Sequence, residues 1–131
     1  MKLTRGEEVA ILLVSTIASH PDARIPLSDI TREHGVSLHF LKKIARLLRR
    51  NNIIDSKEGA GGGYILANVP SAISVLNILQ AVGKEDKEVI SGNSRVCPLH
   101  PNCLPQKIRH FISNAFHTYC SNITIDQLIK E

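Results

Sequence analysis

The chain has 131 residues and carries 16 Lys+Arg against 12 Asp+Glu, a formal charge of +4. At 43% hydrophobic and 21% charged it is not a disordered tail, and its length can bury a core without a disulfide framework. No stretch approaches the roughly 18 apolar residues that would span a bilayer.

The opening MKLTRGEEVAILLVST places Glu7 and Glu8 ahead of a short apolar run and contains no clear cleavage site. It reads as a helix rather than a signal peptide, and with the odd count of three cysteines a cytoplasmic protein is expected. That helix spans residues 8–19, with Val9, Leu12, Leu13 and Ile17 on one face, and His20-Pro21-Asp22 ends it. A second, shorter helix is expected over 25–34, with Pro26 in its first turn and Leu27 and Ile30 on its apolar side. Gly35 supplies a tight turn. Ser37 suits the N-cap of a third helix reaching Asn51, whose apolar stripe is Leu38, Leu41, Ile44, Ala45 and Leu48.

Two short β-like runs follow, 53–56 and 64–67, with four glycines among the seven residues between them. Such a run frees the backbone for positive φ and gives a hairpin with a bare tip. Helix, helix, turn, helix, hairpin is the order of a winged helix-turn-helix. Pro70-Ser71 opens another helix with Ile73, Leu76, Ile78, Leu79 and Val82 apolar and Gly83 as its stop. Residues 84–96 read as a linker, and 97–103 as a compact loop bounded by Cys97 and Cys103. Pro105 starts the longest helix, with Ile108, Phe111, Ile112, Ala115, Phe116, Tyr119 and Cys120 apolar, and Thr124 and Gln127 form a capping box for a last helix over 125–130. The fold class is therefore mainly α with a small β-hairpin wing. Three parts are expected: a DNA-binding unit over 1–83, a linker and cysteine loop over 84–104, and a dimerisation and C-terminal helical part over 105–131.

The charge is localised. Residues 37–58 hold six basic and two acidic groups, which is the whole excess, while the other 109 residues cancel. A field concentrated in this way favours a polyanion, most commonly a nucleic-acid backbone. Ser37, His39, Lys42 and Lys43 lie at the N-terminal end of the third helix, the part that reads base edges. Arg46, Arg49 and Arg50 suit phosphates, and the tip with Lys57, Gly61 and Gly62 can approach a minor groove. One basic helix alone would be a solvated face; the turn and the glycine wing beside it favour DNA. The uninterrupted stripe Ile108, Phe111, Ile112, Ala115, Phe116 and Tyr119 favours an interface between two chains. The expected partners are double-stranded DNA and a second copy of the chain, with neither a membrane nor a small-molecule substrate. No nucleotide loop, activated-nucleophile arrangement or usefully spaced carboxylate pair suggests an enzyme. Three cysteines are an odd count, which points to thiols or metal ligands rather than bridges.

The segments MKLT, IPLSDITREHGVSLHFLKKIARLLRRNNII, EGAGGGYIL and ITIDQLI together resemble the Rrf-two family of bacterial winged-helix regulators, over nearly the whole chain. The resemblance implies a homodimer built on the long C-terminal helix and bound to a palindromic operator, here as a repressor. It also implies an iron–sulfur cluster in the loop ahead of that helix, carried by many members. Some members have a glutamate where this chain has Lys42 and a wing arginine where it has Glu58, so Lys57 takes over the basic role at the tip. Cys97 and Cys103 match the first two ligand positions, but the third falls on Arg109, which cannot bind iron. The remaining ligands would come from His110 or, less favourably, His100 or Cys120, with Glu8 contributed by the partner subunit. Cys120 stands where relatives have a leucine, and a buried, hydrophobe-like thiol is its better reading. The alternatives are a two-thiol redox switch, a zinc site of the two cysteines with His100 and His110 or His117, and no ligand at all. His20, His34 and His117 read as surface residues.

Overall fold

The structure, a computed structural model, describes residues 3–83 and 104–130. The expected linker and the cysteine loop fall outside the described residues. The order is α1 (Arg5–Ala18), α2 (Leu27–His34), α3 (Leu38–Arg50), β1 (Ile54–Lys57), β2 (Gly63–Leu66), a 3₁₀ turn (Pro70–Ala72), α4 (Val75–Val82), α5 (Leu104–Asn122) and α6 (Ile125–Lys130).

Helix α1 starts three residues earlier than its apolar periodicity suggests, because Thr4 and Glu7 close a capping box. The Glu7 amide donates to the Thr4 hydroxyl at 3.2 Å, and the Glu7 carboxylate accepts from the Thr4 amide at 2.8 Å. Those bonds satisfy donors that a helix start leaves open and explain why Glu7 can be buried.

Helix α2 begins two residues later than expected. The residue before a proline avoids the helical region, and Ile25 is instead extended, exchanging two hydrogen bonds of 3.0 and 2.9 Å with Tyr64. The left-handed Gly35, φ 66°, ends α2. Ser37 caps α3 by accepting from the Phe40 amide at 3.1 Å.

The hairpin pairs β1 and β2 antiparallel from Ile54↔Leu66 to Lys57↔Gly63, one residue away from the runs read in the sequence. Ile25 extends it on one side. Gly63, at φ 147°, lets the strand lie against that residue, since a Cβ there would sit 2.8 Å from the Ile25 carbonyl carbon.

The helix expected from Pro70 is split. A 3₁₀ turn ends at Ala72, Ile73 is extended, and Ser74 caps α4 with Asn77. The break lets the chain cross-bond with the segment before α6: Val75 donates to the Ile123 carbonyl at 2.8 Å and Ile125 to the Ile73 carbonyl at 2.9 Å. Gly83 ends α4 without a left-handed φ; a Cβ there would meet the Leu79 carbonyl oxygen at 2.7 Å. Thr124 and Gln127 cap α6 reciprocally at 3.1 and 3.4 Å.

One apolar cluster joins α1, α2, α3, the wing base and α4, with Leu13, Ile30, Leu41, Leu48 and Ile78 fully buried. Ile125 of α6 is buried in the same cluster, so the C-terminal helix packs into the N-terminal body. A second, smaller cluster of Leu76, Leu79 and Cys120 fastens α5 to α4.

Candidate nucleic-acid interface and sensor residues

Helix α3 divides into two faces. Leu41, Ile44, Ala45 and Leu48 are buried, while His39, Lys42, Lys43, Arg46, Arg49 and Arg50 are exposed. The 3.6-residue repeat produces this division: four apolar residues anchor the helix, and every basic residue is left on the outward side. Leu38 departs from the stripe assigned to it. As the first helical residue it precedes the turn that would cover it, and it is 40% exposed. Ser37 lies beside it, exposed, with its oxygen accepting the cap bond.

The basic face continues into the wing. Arg49 Nε lies 3.9 Å from Asp55 Oδ1 on β1, a helix-to-strand ion pair that the sequence reading missed. At the tip, Lys57, Glu58 and Gly61 are exposed. Gly59 and Gly61 take left-handed φ values of 91° and 73°, and the Gly62 amide donates to the Gly59 carbonyl at 3.0 Å. A Cβ at Gly62 would overlap the Lys57 carbonyl oxygen at 2.4 Å, so the tip is as narrow as a backbone allows. A bare ridge of this kind fits a groove in which side chains would crowd.

The residues expected around a cluster are not equivalent. Cys120 is 5% exposed and packs against Leu76 and Leu79. Burial pushes its thiol above the ordinary value, whereas a metal ligand needs an accessible thiolate. Glu8 is exposed and 3.8 Å from Arg5. His110 is exposed on α5 with Nε2 3.2 Å from Asn114 Nδ2. His117 is half-buried and 3.4 Å from Gln80 of α4. Among the described residues no three His, Cys, Asp or Glu side chains gather as a metal site. Glu8 and His110 are thus exposed and Cys120 is buried; Cys97 and Cys103 lie outside the described residues.

On α5, Ile108, Phe111, Ile112, Ala115 and Tyr119 are exposed, Phe111 by 78%. Phe116 is half-buried against the Leu76–Leu79–Cys120 cluster. No helix of the described residues is long and apolar enough to cross a membrane.

Comparison with known proteins agrees with this geometry. The chain is 30% identical over 131 residues to the HTH-type transcriptional regulator IscR of Yersinia enterocolitica, covering 99% of this chain and 80% of that one. Its fold matches the solved T. potens IscR with a TM-score of 0.81 at 20% identity, over 99% of this chain and 87% of that chain. It also matches CymR, the global cysteine regulator of B. subtilis, with a TM-score of 0.78 at 20% identity, over 99% and 97% of the two chains. The family model for Rrf2, described as an iron-dependent transcriptional regulator, matches residues 3–131. With its winged helix-turn-helix and this match along nearly its entire length, the chain belongs to the Rrf2 family of transcriptional regulators.

Proposed function

We propose that the protein is a cytoplasmic, homodimeric repressor whose α3 enters the major groove of operator DNA, under control of an iron–sulfur cluster or redox event at Cys97 and Cys103. The observation that carries this reading is the partition of α3: four buried apolar residues fix the helix, and Lys42, Lys43, Arg46, Arg49 and Arg50 all face outward. Ser37, His39, Lys42 and Lys43 meet base edges and nearby phosphates, Arg46, Arg49 and Arg50 meet phosphates, and Lys57 with Gly61 and Gly62 follows the minor groove.

Residues 1–83 then form the DNA reader, 84–104 the sensor, and 105–131 the dimerisation part. Large apolar side chains left in water on α5 support the second chain. Two copies also give the half-site spacing that a palindromic operator requires.

The cluster would be held by Cys97, Cys103 and His110, with Glu8 of the partner subunit. It would supply a bound iron whose loss or oxidation would change local charge and coordination, and mixed ligation would make such a cluster labile. Ligands in the loop ahead of α5 couple to DNA only by changing the distance between the two recognition helices. A second reading is favoured by the burial of Cys120. With Cys120 set aside, Cys97 and Cys103 are the two cysteines left, and the loop would act as a dithiol switch or bind zinc. Anaerobic purification followed by iron, sulfide and zinc analysis with a visible spectrum distinguishes them. Iron and sulfide in equal amounts with a brown chromophore support the cluster; zinc alone, or metal-free protein with intact thiols, removes it.

A further inference from the structure

Leu38 is the one exposed large hydrophobic residue between 20 and 66. It opens a helix whose other exposed residues are His39, Lys42, Lys43, Arg46, Arg49 and Arg50. Helical geometry of about 100° per residue sets Leu38 roughly 40° from Lys42 and one turn ahead of it, at the edge of the same outward face. The fold does not require a leucine there. The capping bond is made by Ser37 to Phe40, and the contacts that hold α3 come from Leu41, Ile44, Ala45 and Leu48.

If α3 enters the major groove, its N-terminal residues come closest to the base edges. His39, Lys42 and Lys43 address hydrogen-bonding atoms there. An apolar side chain has one apolar counterpart on those edges, the C5-methyl group of thymine. We propose that Leu38 is a specificity-determining residue that packs against a thymine methyl in each operator half-site. The inference rests on the DNA reading of α3, so its test must separate the two.

The full-length protein is used to select duplexes from a random pool, and each thymine of the selected operator is then replaced singly by deoxyuridine, which deletes only the methyl. One position per half-site should weaken wild-type binding about fourfold on replacement, the value of one buried methylene-sized group. Leu38→Ala should bind the thymine and deoxyuridine duplexes equally at that position, and Leu38→Met should restore the difference. The wild-type scan needs no variant to fold. Salt-dependent duplex binding with no methyl-sensitive position, or an undiminished difference in Leu38→Ala, overturns the Leu38 assignment and leaves the DNA reading standing. Failure to enrich or bind any duplex overturns both.

Discussion

Arg49 near the C-terminal end of α3 and Asp55 on the first wing strand form an ion pair at 3.9 Å, so the helix and the wing are tied by a charge contact as well as by the chain. Both side chains are more than half exposed, and such pairs contribute less than about 1 kcal/mol to stability. The contact matters more to the ligand. Asp55 places a negative charge among cations that would otherwise meet phosphate, and it engages one of them.

Asp55→Asn should therefore leave thermal stability nearly unchanged while tightening binding to a random-sequence duplex severalfold at low salt. The log–log salt slope should steepen, by at most about one contact per subunit, as Arg49 no longer divides its charge between Asp55 and phosphate. Fluorescence anisotropy titrations at several salt concentrations would show it, and an unchanged slope would mean that Arg49 stays with the helix.

Gly63 should tolerate no side chain. Its φ of 147° is unfavourable for any other residue, and a Cβ would press 2.8 Å from the Ile25 carbonyl carbon. Gly63→Ala should destabilise the fold by about 1–3 kcal/mol and release the wing from Ile25. Gly61→Ala meets no neighbour within 4 Å and bears only the strain of φ 73°, so the first variant should melt well below the second.

Ser37 has two tasks that substitution can separate. Ser37→Ala removes the cap on Phe40 and should cost about 1 kcal/mol. Ser37→Asp restores the cap and suits the helix dipole, but adds an anion where phosphate is expected. Stability should order as aspartate near wild type and alanine below; operator affinity should be lowest for aspartate. Equal affinities in the two variants would place Ser37 away from DNA.

Cys120 should behave as core. Its thiol is raised above the ordinary value of 9.0 by burial, so the folded state holds its proton more tightly than the unfolded state. The associated stability is complete below pH 9.0 and falls as pH rises beyond it. Cys120→Ala should lose about 1 kcal/mol of packing at neutral pH, leave the metal content equal to that of the wild type, and show a shallower stability loss in alkali. Native Cys120 should also react with iodoacetamide far more slowly than in denaturant.

Local signals made the centre of the fold legible. The 3–4 spacing of Leu41, Ile44 and Leu48, the cap at Ser37 and the glycines around the tip each act within a few residues, so α3 and the wing could be placed from the sequence. Ile25 and Ile73 could not. Each sits in an apolar pattern that continues a helix, but each is drawn into extended pairing by a distant segment, around Tyr64 and around Thr124 respectively. The Thr4–Glu7 capping box was a readable motif that the apolar periodicity overshadowed. Leu38 was assigned to the stripe because spacing gives the face of a helix and not its ends. The basic surface was legible because a net charge confined to residues 37–58 needs no tertiary information; the Asp55 contact with Arg49 needed coordinates.

The most direct test of the account is the salt dependence of duplex binding by the wild-type protein and by a variant with Arg46→Gln and Arg50→Gln. Both side chains are exposed and neither belongs to the buried stripe of α3, so the variant should fold. If they contact phosphate in the proposed homodimer, the slope of log affinity against log salt should shrink by about four, two contacts in each of two subunits. A slope equal to that of the wild type would show that α3 does not meet the DNA backbone, and would contradict the proposed mode of operator binding.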